Sequence, residues 1–241
     1  MAHDLYYSPN RPEDGVLTIT GPEARHISRV MRHEVGNVIG VVDGAGGEHD
    51  VELTAVTANR VAGRVLSYTR NAREPEHRVA IAQAVLKGDH LAQVCGQATE
   101  LGVSRIIPFV SARTVGRLSP TRLERIRAVS LAALKSSTRT MLPIIDAPVE
   151  FTRLLKLDGE FDQVLVAYED ETGNGLGAVL KRDARSVLIV VGPEGGFEPS
   201  EIEALKSAGA ASFSLGPRRL RAETAAVTVA VMTLGLLGDL G

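Results

Sequence analysis

Residues 187–237 read VLIVVGPEGGFEPSEIEALKSAGAASFSLGPRRLRAETAAVTVAVMTLGLL, and this stretch decides the fold. The run Val187, Leu188, Ile189, Val190, Val191 has no polar alternation, which marks a strand covered on both faces, as in parallel sheets. A loop follows, Gly192-Pro193-Glu194-Gly195-Gly196-Phe197, and then a helix. Ser200 and Glu203 have the spacing of a capping box, Pro199 precedes them, and Ile202 and Leu205 supply an inward stripe. A second short strand leads into the loop Leu215-Gly216-Pro217-Arg218-Arg219-Leu220-Arg221 and a closing helix. Strand, helix, strand over so few residues predicts a parallel crossover. Both loops then leave the carboxyl ends of near-neighbour strands and face one crevice, the place where open α/β sheets bind ligands.

Upstream, Asp162–Tyr168 is another apolar strand. Gly173-Asn174-Gly175-Leu176-Gly177-Ala178 after it matches the spacing of a dinucleotide fingerprint. Glu169, Asp170 and Glu171 stand directly before that loop and would repel a pyrophosphate, so the match is rejected; no Gly-Lys-Ser/Thr phosphate loop occurs either. Further back, the strand Val79–Leu86 is broken by Lys87-Gly88-Asp89. Asp89 caps a helix whose Leu91, Val94, Cys95, Ala98 and Leu101 share one face. Arg105–Val110 is the next strand, and Pro108 places it near an edge or a bulge. A helix from Thr121 to about Lys135 ends in Ser136-Ser137-Thr138-Arg139. The fold class is therefore α/β with a parallel sheet in residues 79–241. The polar segment 71–78 is the linker, and a small β domain occupies residues 1–70.

In that first domain Val16–Ile19, Val38–Val42, Asp50–Val56 and Val61–Tyr68 are the strand candidates, separated by glycines. Pro22–Arg32 reads as one helix opened by its proline. Arg25, Arg29 and Arg32 then share a face with His26 and His33 beside it. Such a stripe suits a phosphate backbone, with a solvated helix face as the plain alternative.

At 241 residues with 44% hydrophobic residues the chain can bury a substantial core, and with no Trp and only 4% aromatics that core is aliphatic. The single Cys95 excludes an internal disulfide and a Cys-based zinc site and fits a reducing cytoplasm. No metal is expected. The N-terminus has no signal-peptide pattern, and Thr224–Gly238 is too short and threonine-rich to span a bilayer. Net charge is −2, yet it is unevenly spread. Residues 105–140 carry eight Lys or Arg against Glu124, and residues 141–177 carry eight acids against Arg153 and Lys156. This segregation creates a local field despite the small total.

The two Gly-Pro loops, with Glu201 beyond the first and Leu220-Arg221-Ala222-Glu223-Thr224-Ala225 closing the second, resemble those of the bacterial 16S ribosomal RNA uridine-N3 methyltransferases of the SPOUT, or α/β-knot, class. Lys87-Gly88-Asp89, Ala98-Thr99-Glu100-Leu101-Gly102-Val103, Ile106-Ile107-Pro108 and the Arg25–Arg32 segment extend the resemblance over nearly the whole chain. Two positions depart from it. Ser136-Ser137 stands where the family often has Gln before Ser or Cys, and Arg219 stands where an aliphatic residue is usual.

The resemblance implies a C-terminal α/β-knot domain behind a PUA-like β-barrel, a homodimer, and the small ribosomal subunit with its 16S rRNA as partner. It implies S-adenosylmethionine as cofactor, held by Gly192, Pro193, Glu194, Gly195, Gly196, Leu215, Gly216, Leu220, Arg221 and Ala225. RNA contacts would come from Arg25, His26, Arg29, Arg32, Arg117, Arg122 and Arg218. Uridine N3 is a poor nucleophile until its proton leaves, so the reaction needs a base and a cation near O2 or O4 for the developing anion. Arg139 or Arg221 is assigned the second task and Glu223 the first; Glu194 is expected to cap the backbone of its own loop. A SPOUT enzyme acting on a ribose 2′-hydroxyl or on transfer RNA is the nearest rival. A non-catalytic RNA-binding protein is the other.

Overall fold

The computed structural model describes residues 4–240. The chain forms two compact units, one running to Glu74 and taking in Leu134–Leu142, the other made of Pro75–Ala133 and the residues from Pro143 on.

The first unit contains β1 (Leu5–Tyr7), β2 (Val16–Thr20), β3 (Val38–Val42), β4 (Gly47–Val56) and β5 (Arg60–Arg70), in the sheet order β1-β3-β4-β5-β2. Only β1 and β3 pair in parallel. Alternation supplies the core: Leu17 and Ile19 of β2 and Val51 and Leu53 of β4 point inward with Tyr6, Ile39 and Val61. Two register shifts in the β4/β5 ladder, at Asp50/Val51 and Leu53/Ala55, are the irregularities that bend a sheet toward a barrel. The sheet stays open between β1 and β2.

The helix expected over Pro22–Arg32 is shorter and changes type. α1 (Gly21–Arg25) passes into a π-helical turn, His26–Val30, and Arg32 has a φ of 57°. Within this turn the Ser28 hydroxyl donates to the Ala24 carbonyl at 2.8 Å, a back-bond that often bends helices. Arg29 and Arg32 consequently leave the regular i+4 and i+7 positions.

Residues 134–142, read from sequence as part of the C-terminal domain, group with this unit for clear reasons. Lys135 pairs with Glu23 at 3.1 Å, Met141 bridges to Gly44 and Ala45, and Glu74 binds the backbone N–H groups of Thr140 and Met141 at 2.7 and 3.0 Å.

The second unit runs β6 (Arg78–Ala84), α2 (His90–Leu101), β7 (Arg105–Val110), α3 (Pro120–Ser136, its last turn in the first unit), β8 (Ile144–Ile145), β9 (Val149–Glu150), α4 (Phe151–Leu154), β10 (Gln163–Ala167), α5 (Leu176–Val179), β11 (Ser186–Val191), α6 (Pro199–Ser207), β12 (Ala211–Phe213) and α7 (Ala222–Leu237). Its seven strands are all parallel, in the order β12-β10-β11-β6-β7-β8, with β9 also on β7. Side chains alternate between two cores. Val79, Ile81, Val187, Ile189 and Val191 meet α2, α5 and α7 on one face, while Ala80, Ala82, Leu188 and Val190 meet α4 and α6 on the other. All six residues of β11 are buried, as an unalternating run requires.

Pro108 lies near the sheet edge, on the strand next to the last, and pairs with Gln83 of β6. On its other side the neighbour is split into β8 and β9, which leave Ile107 and Pro108 unpaired where the ladder lacks a donor. The capping box of α6 is Glu198 with Glu201 rather than Ser200 with Glu203. Pro199 fixes the reason, since its preset φ and missing N–H suit the first helical position and put the cap at Glu198, two residues before Ser200.

Candidate active site

β6 and β11 are neighbours at the centre of the sheet, but the chain leaves β6 toward β7 and leaves β11 toward β12 on the opposite side. That reversal opens a crevice at the carboxyl ends of the strands. Loops after β6, β10, β11 and β12 enclose there a cavity of about 920 Å³.

The loop after β11 is shaped by what it packs on. Phe197 is buried and stacks on Phe109, with centroids 6.3 Å apart and planes 6° from parallel. The ring covers Gly192 so closely that a Cβ there would lie 2.9 Å from it. Gly196 has a φ of 69° and faces the Glu169 carboxylate, so it needs both the backbone freedom and the missing side chain of glycine. Beneath the loop, the buried Gln83 amide donates to the carbonyls of Gly192 and Ala84, each at 3.1 Å. Glu201, 7% exposed, accepts from Glu198 N–H at 3.0 Å and Ala112 N–H at 2.9 Å. Glu194 does not cap its own loop. It accepts the Lys87 N–H at 2.9 Å and so ties the loop after β11 to the loop after β6. In the second Gly-Pro loop Gly216 has a φ of 101°, and its N–H donates to the Ser214 hydroxyl at 3.1 Å.

Gly192, Pro193, Glu194, Gly195, Gly196, Leu215, Gly216, Leu220, Arg221 and Ala225 all line the cavity, together with Arg218 and Arg219. Glu223, in the first turn of α7, lines it too; its side chain is 12% exposed, and its Oε1 is 3.6 Å from Nδ1 of His90. Arg139 does not. It is buried in the first unit with its guanidinium on Glu74. Of the three nominated catalytic groups the cavity therefore brings together Arg221 and Glu223.

Sequence reading missed Lys87, His90, Tyr168, Glu169 and Asp170 as lining residues. The break Lys87-Gly88-Asp89 directly after a buried strand was the available signal for the first two. The Tyr168 hydroxyl donates to Asp170 at 3.2 Å, and burial together with that carboxylate raises its pKa. Glu171 accepts from the Ser212 hydroxyl and from Gly173 N–H at 2.9 Å, which hold its carboxyl below the usual range. The carboxylate thus occupies an N–H of the Gly173–Ala178 loop that a pyrophosphate would require, in keeping with the rejected fingerprint.

The cavity is polarised. Glu169, Asp170 and Glu194 supply carboxylates, while Lys87, Arg218, Arg219 and Arg221 supply cations. A ligand carrying a cation, an anion and a planar heterocycle fits such a lining, because the two glycine loops also bring main-chain N–H and C=O groups to the wall. Its volume lies in the range of small-molecule sites. Among the described residues no group of three or more His, Cys, Asp or Glu could hold a metal ion, and no helix is long and apolar enough to cross a membrane.

The nominated RNA contacts fall in three settings. Arg25, Arg29, Arg32, Arg117 and Arg218 are exposed. His26 is half-buried, edge-on to Tyr6 with centroids 5.9 Å apart. Arg122 is committed to carbonyls, bonding those of Arg117 and Gly88 and that of Leu86 at 3.3 Å, and so braces the loop after β6.

Residues 73–234 match the family model described as RNA methyltransferase domain, and residues 19–66 match RNA methyltransferase PUA domain. Ribosomal RNA small subunit methyltransferase E of Bacillus subtilis is 35% identical over 88% of this chain and 87% of its own. The protein of the same name from Mycobacterium tuberculosis is 32% identical over 98% and 93%. The crystal structure of ribosomal RNA small subunit methyltransferase E from Neisseria gonorrhoeae, bound to S-adenosyl methionine, superposes with a TM-score of 0.88 at 25% identity, covering 98% of both chains. With a family model spanning most of the chain and a PUA model ahead of it, this protein belongs to the RNA methyltransferases of the ribosomal RNA small subunit methyltransferase E family.

Proposed function

We propose that the protein transfers a methyl group from S-adenosylmethionine to N3 of a uridine in the 16S rRNA of the small ribosomal subunit. The observation that carries this reading is the polarised cavity between the two Gly-Pro loops, with Arg221 and Glu223 both on its wall. S-adenosylmethionine, when bound, supplies an electrophilic methyl group on a sulfonium. The loop residues Gly192–Gly196 and Leu215–Gly216 hold it through main-chain groups. Arg221 steadies the negative charge that develops on a uridine oxygen, and the Glu223 carboxylate serves removal of the N3 proton. Arg139, bound to Glu74, is assigned to holding the 134–142 segment in place.

The exposed face of α7 supports a homodimer. Val231 and Met232 are 39% and 38% exposed, and with Val227, Thr228, Gln93 and Gln97 they line a groove of about 320 Å³. An apolar helix with an uncovered side is stabilised by burial against a partner. After β12 at the sheet edge the chain returns to pack α7 on α2, β6 and β11; this return path supports the knotted topology of the class.

Labelled S-adenosylmethionine and small subunits from cells lacking the modification provide the test, with nucleoside mass spectrometry after digestion. Label in 3-methyluridine is the expected result. Label in a 2′-O-methyl nucleoside would reassign the target. Sedimentation should give a dimer, and Val231→Glu with Met232→Lys should give a monomer.

A further inference from the structure

His90, the first residue of α2, has no role so far. Its imidazole lines the cavity, 46% exposed, with Nδ1 3.6 Å from Oε1 of Glu223. Among the described residues the imidazole makes no side-chain hydrogen bond, and its one ion-pair contact is that of Nδ1 with Glu223. The neighbouring charges are otherwise engaged or like-signed. Asp89, next in the chain, pairs with Arg125 of α3 at 3.0 Å, Arg122 is held by the Leu86 and Gly88 carbonyls, and Lys87 and Arg221 are cations. Of the cavity's carboxylates, Glu223 is the one within ion-pair distance of His90.

We infer that His90 is a further catalytic residue, the group that takes the N3 proton, and that Glu223 acts behind it as a positioning residue. The inference rests on the methyltransferase reading above and names the proton acceptor for that reaction. An imidazole is the stronger base of the two side-chain types by about two pKa units. A carboxylate on one ring nitrogen fixes the tautomer that leaves the other free to accept, and it stabilises the imidazolium once formed. At 3.6 Å the pair is an ion-pair contact rather than a hydrogen bond, and catalytic contacts of this kind tighten when substrate binds. In the step, the N3–H proton passes to Nε2 of His90 and the freed N3 electron pair forms the bond to the methyl carbon. The electron pair of the breaking carbon–sulfur bond returns to sulfur, leaving a neutral thioether and a neutral methylated base.

The test compares the wild-type protein with His90→Gln, Glu223→Gln and the double variant. It reads kcat against pH on unmodified small subunits and, independently, S-adenosylhomocysteine affinity by calorimetry. His90→Gln should lower kcat by about 10²-fold or more and lose the acidic limb of the profile, with affinity unchanged. Glu223→Gln should lose less and keep a limb. The double variant should be no slower than His90→Gln alone, as expected of groups acting as a unit. If His90→Gln stays within about threefold of wild type, where general-base removal costs orders of magnitude, or keeps the limb, the inference fails. It also fails if calorimetric binding is lost together with activity, because His90 would then be holding the ligand. A wild-type protein that neither binds S-adenosylhomocysteine nor labels RNA would overturn the methyltransferase reading and this inference with it, whereas the preceding outcomes overturn the inference alone.

Discussion

Oε2 of Glu74 lies 2.6 Å from Nη2 of Arg139, and both side chains are only 5% exposed. The other oxygen, Oε1, takes the Thr140 and Met141 N–H groups, so one carboxylate closes the 134–142 segment onto the first unit. Removing the carboxylate takes the ion-pair partner from a buried guanidinium and the acceptor from two backbone N–H groups, a loss of about 3–5 kcal/mol. Glu74→Ala should therefore destabilise the first unit by that amount. Three of the four tyrosines, Tyr6, Tyr7 and Tyr68, report on this unit, and urea denaturation followed by tyrosine fluorescence measures it. Glu74→Leu with Arg139→Met should be less harmful than Glu74→Ala alone, because no unpaired charge remains.

Gly192→Ala places a methyl group 2.9 Å from the Phe197 ring, which is itself pinned against Phe109. The loop must move to relieve the clash. S-adenosylhomocysteine binding should weaken at least about tenfold, roughly 1.4 kcal/mol, which lies within the usual cost of overpacking. Calorimetry with the folded variant checks it.

Glu201→Ala leaves the Glu198 and Ala112 N–H groups without their partner. The expected loss is about 1–2 kcal/mol, the value of a helix cap, read by chemical denaturation. Glu201→Gln should recover part of it, since the amide oxygen can still accept one of the two bonds.

Asp239 supplies a pH dependence. Burial raises its pKa, but the Glu76 N–H at 2.9 Å and the His77 N–H and ring nitrogen at 3.0 and 2.7 Å outweigh that and hold the carboxyl below its ordinary value of 3.8. A depressed folded-state pKa stabilises fully above the unfolded value, and the contribution disappears as pH falls through the folded one. The part of the stability difference between wild type and Asp239→Asn that comes from this carboxylate should begin to shrink near pH 3.8 and vanish below the depressed value. Thermal melts across an acidic series measure it.

Arg25, Arg29 and Arg32 are exposed, so replacing each by Ala should leave the fold intact. If each neutralises one phosphate, every substitution lowers the slope of log affinity against log salt by about one. Filter binding to small subunits over a salt series would show an unchanged slope if the stripe faces only solvent.

The parallel sheet and both Gly-Pro loops were legible because β11 is an unbroken buried run and because glycine at Gly192, Gly196 and Gly216 answers local constraints of contact or φ. The length of the arginine helix was not. Propensity carries no warning of the π-helical turn at His26–Val30 or of the φ of 57° at Arg32. The cap of α6 was misplaced by one turn signal, since a Ser-x-x-Glu spacing competes with a Pro-preset helix start and the proline wins. Arg139 seemed a pocket residue because its segment follows a helix of the second unit; its burial on Glu74 depends on contacts 65 residues apart in the chain. Lys87, His90 and Glu169 were missed for a related reason. They reach the cavity from strands that are neighbours in space and distant in sequence.

The walls of the cavity come from segments as far apart as Lys87 and Ala225, each following a different parallel strand. A site assembled this way has no local precursor, because no single hairpin or helix pair forms half of it in advance. Pairings of long sequence separation fold slowly, and the binding surface exists only once β12 has added to β10 and α7 has settled on the sheet. Ligand affinity therefore reports on completeness of folding. A chain interrupted before α7 would retain much of its apolar core yet lack the wall formed by Ala222, Glu223 and Ala225, and saturating ligand would select the finished molecule by mass action.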